Sequence, residues 1–544
     1  MFNTRIKIVL LAVLSGLGTV VGAQNNASKV WVSDQGNGTF QNPILYADYS
    51  DPDVIRVDDD FYMTSSSFNS APGLQILHSK DLVNWEIIGA AVLKQMPEAV
   101  FDKPQHGNGV WAPSIRFHNG EYYIYYGDPD YGIYMTKAKN PAGPWDTLTL
   151  VKPGKGFIDS CPLWDEDGKA YLVHGFAGSR AGLKSILAVA PLSPDGKKVL
   201  AESKIIFDGH ATGNETIEGP KFYKRNGYYY ILCPAGGVAT GWQLAMRSKS
   251  PFGPYEYKIV MAQGKSKING PHQGGWVTTQ TGEDWFIHFQ EHQPYGRVVH
   301  LQPMKWVKDW PVIGVDKDED GCGDPVMAYK KPNVGKTYPI MTPAESDEFN
   351  TPDLGLQWQW HANPKPTWAY NATENGVLRM FSVPVPDDFK NLWNIPNQLL
   401  QKLPAEEFTA TAKVSIFPNG KFTGERFGLN VMGFDYGTLA VENTEKGLIL
   451  SQIECLNADK GTAEKVNESV ALKDKTVYLR VKIAKGGLCS YSYSSDNKKF
   501  SQVGKEFKAK EGRWIGAKVG LYVTRPKWSN DGGYMDVDWF RVDK

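Results

Sequence analysis

Residues 111–126 read WAPSIRFHNGEYYIYY, and the fold can be read from this stretch. A strand-like run leads to Asn119-Gly120, and an aromatic run follows. Asn-Gly between two such runs is hairpin chemistry, because both residues tolerate the positive φ of a type I′ turn. The unit recurs on both sides. Asp51-Pro52 leads to DDDFYM (58–63), and Asp159 to Pro162 lead to DEDGKAYLV (165–173). Glu218 to Pro220 lead to RNGYYYIL (225–232), and His272 to Gly275 lead to TGEDWFIHF (281–289). Asp167-Gly168 and Asn226-Gly227 repeat the turn signal. The period is about 45–60 residues, which suits one four-stranded propeller blade. Five copies predict five blades, and no long helical periodicity interrupts them.

In a propeller the first strand of each blade lines the central axis, so equivalent positions converge on one funnel. Here those positions hold Asp51, Asp159, Glu218 and His272. Inward carboxylates that face one another cost stability unless they are solvated or functional.

Beyond the repeats the pattern changes. Pro332, Pro339 and Pro343 punctuate residues 331–345, and the linker itself is placed at 336–345. From residue 346 to 544 strands alternate without the blade unit: Val477, Leu479, Val481 and Ile483 are separated by Tyr478, Arg480 and Lys482. The expectation is an all-β chain, a five-bladed β-propeller over 30–335 followed by a lectin-like β-sandwich over 346–544. At the other end, Arg5 and Lys7 precede an uncharged apolar run from Ile8 to Gly22, and small residues stand at Gly22-Ala23. Residues 1–23 therefore read as a signal peptide, which implies export to the periplasm or beyond.

Composition agrees. Of 544 residues, 17 are Trp, 26 Tyr and 24 Phe, an aromatic share of 12% that suits short strands and sugar stacking. Lys plus Arg and Asp plus Glu both number 59, so the formal charge is zero. That balance argues against nucleic-acid binding and against an electrostatic hold on a membrane. No later segment is apolar enough to span one. The five cysteines show no metal-ligand spacing, and an odd number leaves at least one unpaired.

Glycoside hydrolysis needs one protonated and one ionised carboxyl on opposite sides of a sugar-sized pocket. A third acid can raise the pKa of the donor by repulsion. Asp51, Asp159 and Glu218 supply that number from three blades. Longer motifs point the same way: NPILYADYSDPDVIRVDDDFYM (42–63), LHSKDLVNW (77–85), GVWAPSIRF (109–117), GFIDSCPLWDEDGKAYLV (156–173), EGPKFYKRNGYYY (218–230) and YGRVVHLQPMKW (295–306). Over nearly the whole mature chain the sequence resembles glycoside hydrolase family 43. DEFN (347–350) and LGLQWQW (354–360) match the sandwich of its xylosidase and arabinofuranosidase branch.

The resemblance implies an inverting mechanism. Asp51 would be the general base, Glu218 the general acid and Asp159 the residue that tunes and orients the acid. Arg297 would contact substrate, and His272 would touch a hydrated calcium or sodium ion in the channel, although Pro271 and Gln273 depart from the usual flanks. The chemistry itself would need no cofactor. Trp111 and Phe68 are candidate pocket walls, and Trp514 is the candidate aromatic carried to the pocket mouth by a sandwich loop. The expected substrate is an oligosaccharide or polysaccharide, with terminal α-L-arabinofuranose of hemicellulose side chains preferred. An exo-β-1,4-xylosidase or dual enzyme is the alternative, and a non-catalytic glycan-binding propeller is the rival from another class.

Overall fold

The computed structural model describes residues 27–544, so the expected signal peptide lies outside the described residues. Five antiparallel four-stranded sheets follow one another along the chain. Their first strands are Asp53–Val57, Trp111–His118, Phe157–Trp164, Lys221–Arg225 and His272–Thr278. Each sheet keeps the chain order of its strands, as blades connected by hairpins must. The Asn-Gly turns behave as their chemistry requires: Asn119 and Gly120 have φ of 49° and 78°, and Asn226 and Gly227 have 48° and 70°. Asp167-Gly168 differs. Only Gly168 is left-handed, and Asp165 N–H bonds Lys169 O across a longer loop.

The ring is closed by a segment before the first blade. Ile44 N–H donates to Val299 O in the fifth blade at 2.7 Å. Buried Asn42 accepts from Leu301 N–H at 2.9 Å and donates to Leu301 O and Val326 O. Every blade contributes to a plug on the axis. Asp53 pairs with Arg116 at 2.6 Å, Arg116 lies 5.0 Å over the Tyr223 ring, and Arg116 Nη2 reaches Cys161 Sγ at 2.8 Å. Trp276 N–H donates to Tyr223 Oη at 3.0 Å, and Gly275 packs on Asp53. All five cysteines are unpaired, and four are buried.

The C-terminal half is a sandwich of two eight-stranded sheets. In one, Phe408–Phe417 lies between Thr476–Ala484 and Tyr534–Asp543; in the other, Arg426–Met432 lies between Tyr436–Thr444 and Lys518–Arg525. Val477, Leu479, Val481 and Ile483 all point into its core, as their period-2 spacing demands. That core does not stop at the domain boundary. Tyr46, Tyr295 and Val298 of the propeller belong to the same buried cluster. Backbone also bridges the two halves, with Ala71 and Trp360 exchanging N–H···O bonds of 3.0 and 2.6 Å.

Candidate active site

Within two residues of the start of each blade's first strand stands a left-handed residue: Asp51, Ala112, Asp159, Gly219 and Gln273 have φ of 53°, 38°, 58°, 59° and 33°. In three blades a β-bulge accompanies the kink. A bulge re-aims side chains at a strand end, and here it turns them toward the axis. The kink also corrects the repeat register. Asp51 and Asp159 occupy the kinked position itself, whereas Glu218 and His272 stand one residue before it, on Gly219 and Gln273.

Gly219 is required where it is. Its φ is left-handed, and a Cβ there would lie 2.6 Å from the Gln273 side chain. This conformation lets Gly219 N–H donate to Asp159 Oδ2 at 2.7 Å. The acid before Gly219 and the acid of the neighbouring blade are thereby held together.

Asp51 is fixed on both oxygens. Arg297 Nη1 donates to Oδ1 at 2.9 Å, and Ser66 Oγ donates to Oδ2 at 2.6 Å. Ser66 Oγ itself accepts Ala112 N–H at 2.7 Å, which ties the first blade to the second. Arg297 is buried with Asp51 and lies 4.7 Å over Phe289. Ser66 was not singled out from sequence; only the run Ser65-Ser66-Ser67 marks it.

Asp159 is buried, and its carboxyl is pushed up to about 8. Burial is the largest cause, followed by the Glu218 charge, with Asp51 contributing too. The cluster therefore holds a proton at neutral pH. Glu218 remains partly open to solvent, so a ligand can reach it.

His272 Nε2 lies 3.1 Å from Glu218 Oε1. Its Nδ1 faces Gly241. Among the described residues no three His, Cys, Asp or Glu side chains assemble into a metal cage. A hydrated ion touching His272 alone would need no such cage, and the contact that His272 makes here is with Glu218.

The walls are aromatic. Phe68 is buried and meets Trp111 edge to face at 6.4 Å. Trp514, 48% exposed, reaches from the sandwich and meets Trp111 at 6.3 Å. Arg180, unremarked in the sequence, lies 5.9 Å over Trp111 and is held by Asn108 and Asp130. Arg180 sits in a four-residue helical turn, Gly178–Ala181, without sequence periodicity to announce it.

Carboxylates clustered at one end of a plugged propeller axis, beneath an aromatic rim, define a glycosidase. The chain belongs to glycoside hydrolase family 43: residues 40–311 match the family described as Glycosyl hydrolases family 43. Residues 346–543 match the Beta xylosidase C-terminal Concanavalin A-like domain. A protein of Xylanibacter ruminicola is 39% identical over 504 residues, covering 91% of this chain and 88% of its own. A beta-xylosidase of Formosa agariphila is 32% identical, with 94% and 91% covered. A non-reducing end alpha-L-arabinofuranosidase of Bacteroides ovatus is 30% identical, with 81% and 79% covered. Among solved structures, the family 43 protein BlXynB of Bacillus licheniformis superposes with a TM-score of 0.78 at 25% identity, over 93% of this chain and 99% of that one.

Proposed function

We propose that this glycosidase is an inverting, exo-acting β-xylosidase that removes terminal β-D-xylose from oligosaccharides or hemicellulose, and that accepts terminal α-L-arabinofuranose as a second substrate. The observation that carries the chemistry is the raised, buried Asp159 bonded to the Glu218-Gly219 turn while Asp51 is fixed on Arg297 and Ser66. Asp51 takes a proton from water as the water oxygen attacks the anomeric carbon. Glu218 gives its proton to the leaving glycosidic oxygen. Burial and the neighbouring carboxylate charge keep a proton on the Asp159–Glu218 pair, and that proton supplies the leaving oxygen through Glu218. No covalent intermediate forms, and the anomeric configuration inverts.

The order of substrates reverses the sequence expectation. Xylose is favoured by the Formosa relative and by the match of the sandwich to a xylosidase domain. The arabinofuranose reading is supported by the Bacteroides ovatus relative. A few contacts worth about 1–3 kcal/mol decide between such similar sugars. Export through residues 1–23 belongs to the same proposal, with cleavage before Gln24 checked by mass spectrometry of the secreted chain.

The test compares aryl β-D-xyloside with aryl α-L-arabinofuranoside and follows the first-formed sugar by NMR. Faster release of xylose, appearing first as the α-anomer, is expected. β-Xylose appearing first would exclude inversion, a faster arabinofuranoside would reverse the substrate order, and no turnover would leave a binding protein.

A further inference from the structure

Five of the six sandwich residues from Arg513 to Lys518 fasten onto the pocket side of the propeller. Arg513 packs against Gly107, and Trp514 meets Trp111. Gly516 N–H donates to Asp48 Oδ2 at 2.9 Å, and Ala517 N–H donates to Pro294 O at 2.8 Å. Lys518 Nζ donates to Ser70 Oγ at 2.6 Å, two residues from Phe68. One buried carboxylate joins this seam to the catalytic side. Asp48 Oδ1 accepts Arg297 N–H at 2.8 Å and Ser50 Oγ at 3.1 Å, while Oδ2 holds Gly516. Ser50 precedes Asp51, and Arg297 is the ion-pair partner of Asp51. The junction has no spare room: Gly296 has φ of 85°, and a Cβ there would lie 2.5 Å from Asp48 Cγ and 2.6 Å from Gly516 N.

We propose that Asp48 is a positioning residue that sets the Trp514 loop of the sandwich relative to Arg297 and Asp51, so that the substrate rim is built only when the two domains are docked. A carboxylate is suited to this work. It accepts from backbone N–H groups on two separate segments at once, and charge-assisted bonds of this kind are roughly twice as strong as neutral ones. Asn at the same position would turn one acceptor into a donor facing an N–H, which releases one of the two segments. The proposal rests on the pentosidase reading above, because Trp514 matters only if it meets substrate.

The experiment is a double-mutant cycle of Asp48→Asn and Trp514→Ala in the full chain, with hydrogen exchange as a second readout. Each single variant is expected to raise KM for an aryl xyloside roughly tenfold while kcat changes less than about threefold. The double variant is expected to be no worse than either, since both remove the same rim. Exchange over residues 511–518 should quicken in Asp48→Asn while the rest of the sandwich stays protected. Additive losses of roughly a hundredfold, or loosening of the whole sandwich, would overturn the proposal. If Asp48→Asn fails to fold, Asp48→Ser takes its place, and failure of both would make Asp48 a folding residue and end the proposal. A wild-type protein inactive on every pentoside would instead sink the functional reading, with the exchange result still deciding the tether.

Discussion

In the proposed mechanism single residues carry the chemistry, and their roles separate by substrate. Glu218→Gln removes a proton donor, so it should cost about 10²–10⁴ in kcat on natural linkages and much less on aryl glycosides whose leaving groups need little protonation. Asp51→Asn should lose both activities alike, because water must be activated in either case. Steady-state kinetics on xylobiose and on an aryl xyloside checks both, and equal losses in Glu218→Gln would misplace the acid. Asp159 gives a pH prediction. Folding raises its pKa from the model-compound value of 3.8 to about 8, so the folded state binds a proton that the unfolded chain gives up. This group therefore lowers stability progressively as pH rises from about 4 to about 8. Asp159→Asn should lose turnover yet melt higher than the wild type at pH 8 by roughly 2–4 °C, with the gap closing near pH 4. Calorimetry across that range would detect it. That the three acids come together was legible in the sequence, because each sits at the start of a recurring unit. Ser66, Asp48 and Arg180 could not, because their partners lie far along the chain or outside any repeat.

At the level of elements, the five-fold kink at the head of each inner strand matters more than the strands themselves. Hairpin turns were legible through Asn-Gly, whose backbone preference is local. The bulges were not, since a one-residue shift in register leaves no compositional trace, and this is why Glu218 and His272 were aligned one position off. Ring closure was likewise silent. It depends on Asn42, whose amide forms three bonds to buried backbone groups of Leu301 and Val326. Asn42→Ala strands those groups without water, and each unsatisfied buried group costs about 1–3 kcal/mol. The variant should unfold at clearly lower temperature, with a drop of several degrees or more by circular dichroism, while the site chemistry at low temperature changes little. A melting point equal to wild type would show that closure rests on backbone bonds such as Ile44 N–H to Val299 O and Val299 N–H to Leu45 O.

For the whole molecule, the merged core makes the two halves one cooperative unit. Tyr46, Tyr295 and Val298 of the propeller are packed into the same buried cluster as the sandwich core. Lys402 and Lys518 are buried at the same boundary, their amines pushed down to about 7 and about 8, chiefly by that burial. A chain of residues 24–340 lacks both lysines and should expose the apolar face formed by Tyr46, Tyr295 and Val298. It is expected to aggregate or to lose nearly all activity on a small soluble aryl glycoside. Full activity with unchanged melting would show the sandwich to be separable. Strand alternation placed a sandwich after the linker, but its contribution to the propeller core arises from tertiary contacts between residues roughly 50–500 positions apart in a chain that shows no such pairing locally.

The plug of Asp53, Arg116, Cys161, Tyr223 and Gly275 turns the funnel into a cul-de-sac. One doorway then has to serve arrivals and departures alike. In the proposed exo mode a freed sugar sits at the blind end with the shortened chain still in front of it, so the chain must back out before the sugar can follow. Traffic of this kind has no through-route and hence no ratchet along a polymer. Each cut ends a visit, and a time course on a long oligomer should show every intermediate length in turn rather than a direct passage from intact chain to monomer.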